Sequence, residues 1–106
     1  MAMTENEFRI KLIEFFENDA KDIKGYSTVR ILEMINNSKD TIELVKGFLK
    51  NPKPSGGFRA LAKIKKLDLS LEAYILRLPD VKELFTKKEI DMANFRLSDA
   101  RYTKNI

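Results

Sequence analysis

Apolar residues along the chain recur three and four positions apart, the spacing of a helix face. Phe8, Leu12, Phe15, Phe16 and Ile23 make the first such stripe. Thr4-Glu5-Asn6-Glu7 precedes it with the spacing of a capping box, in which the Thr hydroxyl accepts from the third helical N–H and Glu7 reaches back. Gly25 supplies a stop, because glycine takes a left-handed backbone without strain. A second helix is expected from Ser27 or Thr28 to Asn36, with Val29, Ile31, Leu32 and Ile35 as its apolar positions. Asn36-Asn37-Ser38-Lys39-Asp40 is turn chemistry. Ser38 or Asp40 then caps a third helix through Lys50, with Ile42, Val45, Phe48 and Leu49 facing inward and Gly47 weakening its interior.

Asn51-Pro52-Lys53-Pro54-Ser55-Gly56-Gly57 reads as an ordered loop, since two prolines and two adjacent glycines do not continue a helix. Phe58, Leu61, Ala62 and Ile64 predict a short fourth helix, broken at Leu67-Asp68-Leu69-Ser70. Ser70 caps a fifth, which carries Leu71, Ala73, Tyr74, Ile75 and Leu78. The alternation of Leu67, Leu69 and Leu71 also fits a strand, but one strand alone has nothing to pair with. Pro79 ends the segment, and Asp80 to Phe85 make one more turn. Thr86-Lys87-Lys88-Glu89 is a second capping box, followed by Ile90, Ala93, Leu97 and Ala100 at helical spacing. Residues 103–106 are expected to fray. No internal repeat or low-complexity tract interrupts the pattern. The expected fold is all-α: a compact bundle of five or six short helices, one domain over residues 1–106.

Composition narrows the chemistry. The 106 residues are 43% hydrophobic and 34% charged, a globular balance, with neither cysteine nor histidine. Disulfides, thiolate zinc sites, Cys nucleophiles and every His-dependent triad are therefore excluded. The commonest general base is missing too, so the expectation is a non-enzymatic protein without cofactor or metal. No apolar run approaches the roughly 20 residues of a membrane span. The polar start, Met1 to Arg9, has no leader pattern, so the expected location is cytoplasmic, away from any membrane.

Charge singles out one region. Residues 1–45 carry a net −3, residues 67–106 are neutral, and residues 46–66 carry +7 with no acid. Within that stretch Ser55-Gly56-Gly57 stands before a helix, where free N–H groups and the positive end of the helix dipole favour an anion. The candidate anion or nucleic-acid contacts are Lys50, Lys53, Ser55, Gly56, Gly57, Arg59, Lys63 and Lys66. Such contacts would be sequence-independent and salt-sensitive. The plainer alternative is a cap and turn beside a solvated lysine face. The spacing is not that of a P-loop, which argues against nucleotide hydrolysis. Helices two and three also invite a helix-turn-helix reading, with Glu43, Lys46 and Lys50 on a thin reading surface, although simple core packing is the commoner use of such a pair.

Other candidates are weaker. Glu72 lies in an apolar run, where a salt bridge or hydrogen bond to a neighbouring helix is the expected role and an unpaired carboxyl would titrate high. Glu14 and Glu17 share a face, but a Glu17–Lys21 surface pair is the ordinary reading. Phe15, Phe16, Phe48, Phe58 and Phe85 read as core. Phe95 and Tyr102, if off the core stripe, would form a partner-facing or dimer patch.

Tyr26 with Arg30-Ile31-Leu32-Glu33-Met34-Ile35, the Pro54-Ser55-Gly56-Gly57-Phe58 turn with Leu61, Leu67-Asp68-Leu69-Ser70-Leu71-Glu72-Ala73, and Leu84-Phe85-Thr86 with Glu89 and Ala93 form a recognisable set. Across residues 26–97 they resemble a small helical domain of uncharacterised bacterial proteins. Lys65-Lys66 replaces that family's Gly-Arg, and Leu44-Val45 stands where small alanines are usual. The family has no assigned activity, and some members are encoded beside nuclease or mobile-element genes. The resemblance implies a compact bacterial helical domain and says little about its chemistry; the expected function is a non-enzymatic accessory or protein-interaction module, with an unknown protein or a second copy as partner. The basic stretch supports the alternative, a nucleic-acid or phosphate-binding module.

Overall fold

The computed structural model describes residues 3–21 and 23–103. Helix α1 (Glu5–Glu14) runs on into a π-helical turn, Phe15–Asp19. It is followed by α2 (Val29–Asn37), α3 (Thr41–Lys50) and α4 (Gly56–Lys63). A 3-10 turn at Leu67–Leu69 leads to α5 (Leu71–Arg77), the single turn α6 (Pro79–Lys82), α7 (Lys87–Ser98) and the single turn α8 (Ala100–Thr103). Six helices of seven or more residues make the all-α bundle, and no strand occurs among the described residues. The radius of gyration is 13.1 Å, matching the about 13 Å of a compact domain near 100 residues. No helix among those residues is long and apolar enough to cross a membrane.

The caps are local chemistry and form as read. Thr4 and Glu7 close a capping box at α1, and Thr86 and Glu89 close another at α7. Asp40, not Ser38, caps α3: its carboxylate accepts from the N–H groups of Ile42 and Glu43, while the Ser38 hydroxyl donates to Ile35 O. Ser55 and Ser70 cap α4 and α5 through the N–H groups of Phe58 and Ala73.

Several expectations need correction. Helix α1 ends at Asp19, and Gly25 closes a separate turn, with φ +91°. The wider π turn lets the neighbouring rings of Phe15 and Phe16 both turn inward, stacked edge-on at 5.1 Å. Gly56 and Gly57 lie in the first turn of α4 rather than in a loop, because Ser55 caps it and Pro54 sits before the helix. Pro79 opens α6, at a position where its missing N–H costs nothing. Asp99 adopts an extended backbone between α7 and α8, so the last helix is two segments. Val29, at 63% exposure, points away from the core. Residues 104–106 of the expected frayed tail lie outside the described residues.

Two apolar clusters hold the elements together. The larger packs Phe8, Leu12, Phe15 and Phe16 of α1 against Ile35, Val45, Leu49, Ile75, Val81 and Ala93. The smaller joins Phe58 and Leu61 of α4 to Leu67, with Tyr102 edge-on to Phe58 at 5.5 Å. Tyr102 is therefore half-buried against the smaller cluster, and of the proposed aromatic patch only Phe95 stands out, 57% exposed.

Two arginines donate to carbonyls at helix ends, where intrahelical donors run out. Arg9 donates to Ile35 O and Ser38 O at the end of α2, and to Glu5. Glu5 in turn accepts the first N–H of α3, from Thr41, at 2.8 Å. That backbone hydrogen bond, helped by Arg9, holds the Glu5 carboxyl below its ordinary 4.5. A depressed acid contributes stability that is present above its unfolded pKa and lost as pH falls through its folded one. Glu5→Gln should therefore destabilise at neutral pH, with the gap to wild type closing as pH drops below about 4.5. Urea midpoints measured across pH 3–7 check this, and a pH-independent gap would contradict it.

Candidate functional site

Arg96 of α7 is a buried side chain that donates to three acceptors, and its role was not visible along the sequence. It is 2% exposed and meets Glu72 of α5 at 3.0 Å. It also donates to Phe48 O at 3.0 Å and to Asn51 O, tying down the end of α3. Glu72, 4% exposed, is thus paired as expected for a buried carboxylate. Burial nonetheless pushes its carboxyl above the usual range, against the pull of the Arg96 guanidinium.

Above this pair opens a groove of about 550 Å³ between α2, α4 and α5. Phe16, Ile31, Met34, Phe48, Phe58 and Leu61 line its apolar part. Its polar part combines Ser55, Gly56 and Gly57 at the start of α4 with Arg30, Arg59, Tyr26 and Glu72. The Ser55 hydroxyl occupies the N–H of Phe58. The preceding N–H groups, of Gly56 and Gly57, are the ones a helix start leaves without an intrahelical acceptor. A Cβ built on Gly57 would stand 3.5 Å from Tyr26 Cε1 and 3.9 Å from its hydroxyl, so the phenol closes over the helix start. Burial, and then the nearby Glu72 charge, push the Tyr26 hydroxyl upward. Among the described residues, neither Arg30 nor Arg59 has an ion-pair partner.

The predicted contacts divide into two groups. Ser55, Gly56, Gly57 and Arg59 line the groove. Lys63 joins Gly56 and Arg59 along an adjoining depression beside Gly25 and Ile64. Lys50, Lys53 and Lys66 are exposed and border neither. Lys46 is no part of a free basic face: it is half-buried, 3.8 Å from the buried carboxylate of Glu89. That also removes it from the thin helix-turn-helix surface. Sequence reasoning missed Arg30 and Tyr26 as groove residues, because the turn that carries them to α4 has no periodic signature. Glu14 and Glu17 are simply exposed.

No protein-family model matches the chain, and comparisons with curated proteins and with solved structures find no similar protein. The likeness of residues 26–97 to the bacterial helical domain rests on the quoted motifs alone.

Proposed function

We propose that the chain is a non-enzymatic module that binds the phosphates of a nucleic acid at the start of α4. One observation carries the reading. The Gly56 and Gly57 N–H groups open onto a groove flanked by Arg30 and Arg59, two guanidinium groups that no carboxylate among the described residues neutralises. A helix start attracts anions through its dipole and free donors. A guanidinium holds two phosphate oxygens at once, and Gly56, with no atom within 4 Å of a built Cβ, leaves the backbone open to close approach. Lys63 extends the same positive face along α4. These features support the second of the two readings of the sequence, and an accessory role beside a protein partner is compatible with it. Neither role needs the histidine or cysteine that the chain lacks.

Fluorescence anisotropy with single-stranded and duplex oligonucleotides, measured over a salt series, tests it. Each phosphate contact to a single strand contributes about 0.7 to the slope of log K against log salt. Arg59→Ala with Lys63→Ala should therefore flatten that slope by about 1.4 and weaken binding. Absence of binding at low salt would sink the reading. Salt-steep binding that the double variant leaves unchanged would sink this site.

A further inference from the structure

The phosphate position uses only the mouth of the groove. The groove is also lined by a phenol ring, an apolar floor and the Glu72 carboxylate. Oε2 of Glu72 accepts from Arg96, its carboxylate also takes a hydrogen bond from its own backbone N–H, and no other described residue donates to Oε1. Among those residues, the one buried side-chain polar atom that is sealed and unpartnered is Arg96 Nε. Glu72 lines the groove, and a carboxylate oxygen that accepts one hydrogen bond keeps a second lone pair for a ligand donor. The Tyr26 hydroxyl likewise has no hydrogen-bond partner among the described residues, and it lies between the α4 start and the Glu72 charge. A volume of about 550 Å³ falls within the roughly 300–1,000 Å³ of small-ligand sites.

Resting on the phosphate-binding reading, we infer that the groove takes one unpaired nucleotide. Its phosphate would lie on the Gly56 and Gly57 N–H groups and the two arginines. Its base would lie against the Tyr26 ring and the apolar floor, with an exocyclic amino group donating to Oε1 of Glu72. The partner class is single-stranded or flipped-out nucleic acid, because a paired and stacked base has no free face or edge to offer. A carboxylate accepts from the amino group of cytosine. At the same position uracil presents a carbonyl, which a carboxylate repels. Cytosine should therefore be preferred over uracil at this site.

Titration of the full chain with CMP, UMP and inorganic phosphate, followed by 1H–15N NMR, tests the inference. CMP should shift the Gly56 and Gly57 amides together with Tyr26, and bind at least about fivefold tighter than UMP. Inorganic phosphate should move the two amides alone. If CMP and UMP do no better than phosphate, the base site falls and the phosphate reading stands. If none of the three shifts those amides, both fall. In Glu72→Gln the amide oxygen keeps Arg96 and the amide NH2 faces the groove, so the preference should reverse toward UMP. An unreversed preference in a folded variant would overturn the role of Glu72. If that variant does not fold, Tyr26→Leu supplies the test. It should weaken both nucleotides about tenfold, through lost stacking, and leave phosphate unaffected. Unchanged nucleotide affinity would overturn the proposal.

Discussion

Arg96→Ala is expected to cost about 3–5 kcal/mol, a large fraction of the stability of a domain this size. The loss has three sources. Glu72 would be left as an uncompensated carboxylate at 4% exposure, already pushed upward by burial. The carbonyls of Phe48 and Asn51, at the end of α3, would lose their donor. The side chain's own volume would become a cavity between α3, α5 and α7. Glu72→Ala should be milder, because Arg96 keeps both carbonyl partners. Arg96→Lys should recover only part of the loss, since one ammonium cannot span three acceptors on two segments as a planar fork does. Each kcal/mol shifts Tm by about 4–8 °C in a domain of this length, so Arg96→Ala should melt at least about 12 °C lower. Thermal unfolding followed by circular dichroism measures it. A shift of only a few degrees would mean that the pair is not buried as described.

That prediction depends on a contact which no local pattern announces. Arg96 and Phe48 are 48 residues apart, and Arg9 reaches Ser38 across 29. Along the chain both arginines read as exposed charges, because nothing in a single helix shows that its polar face will meet another helix's carbonyl end. The caps behave oppositely. Thr4, Asp40, Ser70 and Thr86 act on N–H groups two or three residues away, so their sequence neighbours already define them. The same division governs the site. Ser55-Gly56-Gly57 and Arg59 are legible because cap, glycines and cation lie within one turn of helix. Arg30, Tyr26 and the carboxylate of Glu72 enter only when α2, α4 and α5 pack around one groove. The basic block was legible as a sum of charges, and only packing shows that Lys46 is already committed to Glu89. Where glycine misled, backbone context was the reason. Gly56 and Gly57 are tolerated at a helix start, where few intrahelical bonds depend on them, although Gly in a helix interior is costly. Gly25 does take a left-handed turn, but six residues after the last residue of the π turn.

Phe8→Ala and Phe16→Ala are expected to separate the core from the groove. Both rings are essentially unexposed, and truncating a buried Phe costs about 3–5 kcal/mol through lost transfer energy and the cavity left behind. Phe8 lies wholly inside the larger cluster, edge-on to Phe85 at 5.9 Å, so the space it vacates is sealed and keeps the full cavity penalty. Phe16 faces two ways: it packs on Phe15, and it also lines the groove beside Arg30 and Glu72. Its vacated volume would join a space with polar walls that water can enter, so part of the lost contact would be replaced. Phe8→Ala should therefore fall at the upper end of the range and Phe16→Ala at the lower, with urea m-values unchanged in both. Ligand binding should order them the other way. Phe8→Ala leaves the groove intact and should bind nucleotides like wild type while it remains folded. Phe16→Ala removes part of the floor on which the base would rest, and should weaken CMP and UMP without changing the response to inorganic phosphate. Equal losses of stability together with unchanged nucleotide binding would show that the Phe16 ring belongs to the sealed core alone.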